Sequence, residues 1–242
     1  MRYQLGDLTA FRLLFRLGAG RSAVDRLLSS PRFAGVLLLL VLVTLGVTLN
    51  LYPNFDARAE QFSGTYPDIV ATGAAFPLSL IGLAATALLL GLFVIALRRA
   101  PGARDNAAVM AVSVSLGTSA GGLLAAAVLA VPVSLWAARV SNGSLTLSEG
   151  AERSQGLASA SQTLILLFGL GGLALGLTIL GFVAWRVGWT PAVVFWGTVA
   201  LVAVTLVGGL ALNLFWIGLG LPAILWTLMI GGSLIARREY PV

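Results

Sequence analysis

The sequence predicts an all-α protein, a polytopic membrane bundle of six transmembrane helices preceded by an N-terminal amphipathic helix at the membrane surface. Three observations carry this reading. Of 242 residues 58% are hydrophobic and 10% charged, with a mean hydropathy of +0.97, whereas soluble chains carry roughly a quarter charged residues. The apolar residues gather in six runs, each near or above the ~20 residues that a helix needs to cross a hydrocarbon core of ~30 Å. Those runs lack the alternation that strands of a closed barrel require.

The chain divides at the start of the first run, with residues 1–31 a cytoplasmic helical segment and 32–242 the transmembrane domain. In the segment, Asp7 is a suitable N-cap and Gly18 a suitable terminator. Between them Thr9, Arg12 and Arg16 form one narrow polar arc, and Leu8, Phe11, Leu14, Phe15 and Leu17 cover most of the rest. The arginines interrupt the apolar stretch that a cleavable signal would need, so the segment reads as retained. A basic amphipathic helix beside a span lies on an anionic leaflet, with Phe11, Leu14 and Phe15 in the interface and Arg12 and Arg16 toward phosphates. The alternative is a helix docked on a partner protein or on the bundle's own cytoplasmic face. A second short helix follows, with Ser22 as cap, Asp25 three residues on, and Pro31 at its end.

The six spans read as 33–51, 75–97, 107–138, 158–185, 191–213 and 216–236. The third and fourth exceed a perpendicular crossing, and tilt, a kink at Pro132 or projection beyond the bilayer would absorb the excess. Residues 52–73, which include Asp56, Glu60 and Asp68, are expected to form a solvated, partly ordered loop, since the carboxylate spacing matches no calcium loop. Glu149 and Glu152 read as exposed rather than as an acid–base pair. Asn142-Gly143-Ser144 is a glycosylation sequon by chance.

Orientation follows from arginine. Arg2, Arg12, Arg16, Arg21, Arg26 and Arg32 precede the first span; Arg98, Arg99, Arg104, Arg186, Arg237 and Arg238 fall on the same side. The other side holds Arg58, Arg139 and Arg153. By the positive-inside rule both termini are cytoplasmic, in a bacterial inner membrane. Tryptophan agrees in part: Trp136 and Trp216 sit near outer span ends, Trp185 and Trp189 flank an inner turn, and Trp226 falls mid-span.

Composition also excludes chemistry. All fifteen basic residues are arginine, and Cys, His and Lys are absent. That removes disulfides, thiolate sites, imidazole ligands and bases, and lysine Schiff bases. No catalytic residue, metal site, phosphate-binding loop or nucleic-acid partner is expected, and the chain reads as a non-enzyme. No ionisable residue lies inside the spans, which argues against coupled pumps and voltage sensors. No cofactor is called for; a bound lipid, carotenoid or quinone is compatible with the apolar helices, and a chlorin would need water, Asn or a carbonyl as axial ligand. In span three Ser113, Ser115, Thr118, Ser119 and Ser134 read as hydroxyls bonded to their own helix or to a neighbour rather than as a solute pathway. Two sets of small residues mark helix-packing faces, Gly117, Gly121 and Ala125 in span three and Gly169, Gly172 and Gly176 in span four. Small residues at such spacing let backbones approach closely in lipid. The partner helix is open, in the same chain or in another copy or subunit.

Arg32-Phe33-Ala34-Gly35 before the first span, Trp185-Arg186-Val187-Gly188-Trp189-Thr190-Pro191 at the turn between spans four and five, and a last helix ending in Arg237-Arg238 resemble a group of small multi-pass bacterial membrane proteins. That resemblance implies no activity or site residues. The six spans, internal termini and amphipathic leading helix are also similar to permease subunits of ABC exporters. Those usually carry short re-entrant helices between spans five and six, for which Asn213-Leu214-Phe215-Trp216 leaves no room.

The functional expectation is a non-catalytic integral subunit or scaffold that packs against other membrane proteins or itself. A permease subunit, or a binder of a lipid or apolar cofactor, is the alternative. The topology is testable because the chain has no native thiol: Ser63→Cys should be labelled from outside the cell and Ala103→Cys only after permeabilisation, and the reverse pattern at both would overturn the orientation.

Overall fold

The structure, a computed structural model, describes residues 25, 27–53, 59–100, 106–212 and 215–236, with side chains omitted at 59–61, 204–212 and 215–223. The amphipathic helix expected around Phe11, Arg12, Leu14, Phe15 and Arg16 lies outside the described residues. The described residues are helical and contain no strand. The helices are α1 (Pro31–Leu51), α2 (Ala59–Ala71), α3 (Ala75–Arg99), α4 (Ala107–Ser141), α5 (Leu147–Arg186, with a π-helical stretch Leu164–Leu170), α6 (Ala192–Leu212) and α7 (Phe215–Ala236). Four of them, α1, α3, α4 and α5, are long and apolar enough to cross a membrane; in α6 and α7 the described apolar stretches are Ala192–Ala203 and Ile224–Ala236.

Apart from the short α2, each helix packs on the next, and α7 returns to pack on α1, so the order closes on itself. Small residues set the approaches. On α1 and α3 a β-carbon at Gly82 would collide with Thr48, and the hydroxyls of Thr44 and Thr86 lie 3.1 Å apart. At the closure a β-carbon at Gly35 would lie 2.6 Å from the Gly231 carbonyl oxygen. Large apolar side chains face outward as well as inward: Leu88 is 68% exposed and Leu167 66%. A bundle with such a surface is compatible with a multi-pass membrane protein.

Two expected boundaries change. The fourth long helix begins at Leu147, not at 158, because Thr146 and Glu149 form a capping box. The Glu149 amide donates to Thr146 Oγ1 (3.3 Å), and Glu149 Oε2 accepts from the Thr146 amide (3.0 Å) and hydroxyl (2.7 Å). Residues 52–73 are not simply a solvated loop, since α2 occupies Ala59–Ala71. Phe62, Tyr66 and Ile69 recur at helical spacing and are all buried, while Asp68 on the same helix is exposed. At 35 and 40 residues, α4 and α5 run about 52 and 60 Å. Both project past a ~30 Å core, and α2 packs on the projecting ends.

Tyr66 is the centre of that helical cap. A β-carbon at Gly150 would lie 2.8 Å from the Tyr66 hydroxyl and 2.6 Å from Val140 Cγ2, so the ring seats only on glycine. Burial pushes the Tyr66 phenol above its ordinary value, partly offset by the Ser154 hydroxyl, which donates to it at 3.3 Å. The other end of the bundle carries Arg98, Arg99 and Arg186 at helix C-termini, where cations complement the macrodipole. There Arg99 Nη1 lies 2.6 Å from Asp25 Oδ1, an exposed ion pair joining the turn before α1 to the end of α3.

Two helix stops share one geometry. Gly143 and Gly188 both take φ 72°, the left-handed conformation that glycine adopts without a side-chain clash. Ser144 N–H donates to Arg139 C=O and Gly143 N–H to Val140 C=O; Trp189 N–H donates to Ala184 C=O and Gly188 N–H to Trp185 C=O. These are Schellman stops. The sequon residues Asn142-Gly143-Ser144 thus end α4, and Val187-Gly188-Trp189 ends α5 with Trp189 buried rather than at an interface.

Thr146→Ala should cost about 1 kcal/mol of local stability, read as faster amide exchange over 147–150. The Glu149 carboxylate is held below its ordinary value of 4.5, chiefly by the Thr146 backbone N–H and then by its hydroxyl. A lowered folded value means the stabilisation is present above the ordinary value and lost as pH falls through the folded one. Glu149→Gln should abolish that acid-side rise in exchange.

Candidate functional site

The polar chemistry among the long helices concentrates on the contact between α4 and α5. Ser115 Oγ donates to Gly172 C=O at 2.9 Å, Ser119 Oγ to Gly169 C=O at 2.6 Å, and Ser161 Oγ to Ala126 C=O at 2.9 Å. Because the Ser161 proton is committed to Ala126, the Tyr52 hydroxyl, 2.9 Å away, is the donor to Ser161 Oγ. Ser113 bonds its own helix at Val109 C=O, and Thr118 is exposed.

A serine hydroxyl reaches a neighbouring backbone only where nothing bulky intervenes, and glycine provides that room. A β-carbon at Gly169 would lie 2.7 Å from Leu123 Cδ2, one at Gly172 would lie 3.1 Å from Ser115 O and from Ser119 Cβ, and one at Gly176 would collide with Leu116. The seam's counterpart on α4 is Gly122, whose β-carbon would lie 2.5 Å from Phe168 Cβ and 3.1 Å from the Gly169 nitrogen. The π-helical stretch falls at this crossing, and such stretches mark functional or strained sites in helices.

The sequence-derived packing residues therefore separate. Gly169, Gly172 and Gly176 face α4 within the chain. Gly117, Gly121 and Ala125 do not meet them; all three are exposed, and a β-carbon at Gly117 or Gly121 would have nothing within 4 Å. Gly122 was not singled out by the sequence. Its signal was the series Ser115, Ser119, Gly122, Ala126 at helical spacing, about 130° around the helix from the Gly117 stripe.

A second feature lies farther along α4, under the helical cap. A cavity of about 270 Å³ opens between the α2–α3 corner and the end of α4. Ile69, Val70, Phe76 and Pro77 form an apolar wall, and Ser134, Ser141 and Asn142 face it with the small residues Ala137 and Ala138 between them. None of the lining residues is ionisable. Elsewhere, Thr190 Oγ1 and Trp226 Nε1 are buried without a hydrogen-bond partner among the described residues. On the far end of α5, Trp185 and Phe195 stack at 4.4 Å, with Phe182 and the exposed Trp196 at the edges of Phe195.

Gly172→Leu should lower the yield of folded, monodisperse protein sharply, since overpacking at a backbone contact costs typically 1–3 kcal/mol or more. Ser119→Ala, which leaves the Gly169 carbonyl inside its helix, should cost about 0.6–2 kcal/mol. Equal thermal stability of Gly172→Leu and the parent chain would mean the seam is not as described.

No family model matches the chain, and no curated protein or solved structure is detectably similar to it.

Proposed function

We propose that the chain is a six-span, non-catalytic subunit or scaffold of a bacterial inner membrane, with both termini cytoplasmic, that packs against another membrane protein or a second copy through α4. The observation that supports this reading is the exposed stripe of Gly117, Gly121 and Ala125. The intramolecular contact of the same helix uses Ser115, Ser119 and Gly122, so among the described residues nothing covers the stripe. Small residues four apart form a shallow groove into which another helix can settle closely. Bulky Val114, Leu124 and Val128 on the exposed surface of α4 would frame such a contact. The uncharged spans and small extramembrane segments agree with a role in assembly rather than in catalysis or ion coupling.

Gly121→Leu tests the reading in native membranes. It should leave the folding and melting of the isolated chain unchanged while shifting its migration on native gels from that of a complex to that of the 25.1 kDa chain. A Gly121→Leu chain that migrates with its parent would sink the proposal.

A further inference from the structure

The cavity beneath the helical cap has a composition that selects a ligand. Its volume of about 270 Å³ is many times the ~30 Å³ share of one water and falls just short of the ~300–1,000 Å³ range of ligand sites. One wall is apolar, from Ile69 and Phe76, both buried, with Val70 and Pro77 beside them. The facing wall is one side of the last turns of α4, carrying the hydroxyls of Ser134 and Ser141 and the carboxamide of Asn142.

Those three polar side chains are distinct from the other hydroxyls of the helix. Ser113, Ser115 and Ser119 each donate to a carbonyl. Ser134, Ser141 and Asn142 make no side-chain hydrogen bond among the described residues. Ser134 is half-buried in the lining, while Ser141 and Asn142 are exposed toward its mouth. The group offers donors and acceptors in a row beside a hydrocarbon surface, with no formal charge to attract a cation or an anion.

The level is equally informative. The lining residues, 69–77 and 134–142, bracket the start of α3 and the end of the apolar part of α4. With those helices crossing a bilayer, the cavity sits where hydrocarbon gives way to the ester and glycerol layer. We propose that it binds a neutral amphiphile, a glycerol ester or long-chain alcohol, with its hydroxyl or ester oxygens on Ser134, Ser141 and Asn142 and the first carbons of its chain against Ile69, Val70 and Phe76. The inference rests on the membrane placement of α3 and α4 and is independent of the subunit reading.

Ser134→Cys supplies the only thiol in the chain and tests the site directly. In the detergent-solubilised protein, 1-monooctanoylglycerol should slow maleimide labelling of this thiol, and octyltrimethylammonium, with the same chain length and a charged head, should not. Adding Ser141→Ala should raise the half-protecting concentration about fivefold, the equivalent of one hydrogen bond of ~1 kcal/mol. Phosphatidylcholine nanodiscs separate two sources of the same chemistry. Protection there without added ligand identifies the ester level of a bilayer lipid, and protection only on adding the monoacylglycerol identifies a free amphiphile. Either pattern supports the site. Unprotected labelling throughout, or equal protection at the outward-facing control Val131→Cys, would overturn it, as would a half-protecting concentration that Ser141→Ala leaves unchanged.

Discussion

The close backbone contact between α4 and α5 is the constraint on which the rest of the structure depends. In lipid there is no hydrophobic gain in bringing two apolar helices together, so association rests on dispersion contacts and hydrogen bonds at short range. Here Gly122, Gly169, Gly172 and Gly176 remove the side chains that would hold the helices apart. Ser115, Ser119 and Ser161 then reach across to carbonyls. The three bonds run in antiparallel order along the seam, which ties the register of one helix to the other. Each is worth about 0.6–2 kcal/mol. A shift by one residue would forfeit all three and drive Leu116 and Leu123, which sit over Gly176 and Gly169, against the side chains of the neighbouring positions.

That register propagates outward. Ser161 is shared: it donates to Ala126 and accepts from Tyr52, so the end of α1 is referenced to the same seam. Tyr52 in turn meets Phe76 edge-on at 5.7 Å, which places the start of α3. Three residues before Ser161 along α5 the helix presents Ala158, and a turn further back Ser154 and Gly150, which receive Tyr66 of α2. The helical cap is thus a continuation of the α4–α5 contact beyond the apolar length of both helices. The cavity lies beside this line, where α4 carries small residues, Ala137 and Ala138, but its neighbour is the α2–α3 corner rather than α5.

Much of this was legible from residue order, and what was not has specific causes. The long apolar runs located the helices because length and hydropathy are properties of a segment by itself. The start of α5 was missed by eleven residues because 147–157 is polar and fails a hydropathy reading, although Thr146 and Glu149 have capping-box spacing. The helix α2 was missed because 52–73 was weighed by its carboxylates Asp56, Glu60 and Asp68, while Phe62, Tyr66 and Ile69 repeat at helical spacing. The choice of packing face on α4 was ambiguous for a deeper reason. Gly117-Gly121-Ala125 and Ser119-Gly122-Ala126 are both small-residue stripes, and a stripe says only that close approach is possible. The serines break the tie, since a hydroxyl is better satisfied by a neighbour's carbonyl than by lipid.

The surplus stripe bears on what the chain is for. Glycine in the interior of a helix is less favourable than alanine by ~0.8–1 kcal/mol, and on a lipid-facing surface it also forfeits contact with acyl chains. The seam recovers that loss at Gly169, Gly172 and Gly176 through the contacts and bonds to α4. Gly117 and Gly121 recover nothing from the described residues, since none of these comes within 4 Å of where a β-carbon would stand. Elsewhere the exposed surface carries large side chains such as Val43, Leu88 and Leu167, and the exposed Gly46 and Gly232 stand singly on their helices, whereas Gly117 and Gly121 follow one another on one face. On the proposed reading, a second helix seated on this stripe, on the same helix that anchors the fold, would fill the open space at Gly117 and Gly121. That surplus is the physical basis of the proposed role in assembly, and it is why the proposal names α4 rather than the bundle at large.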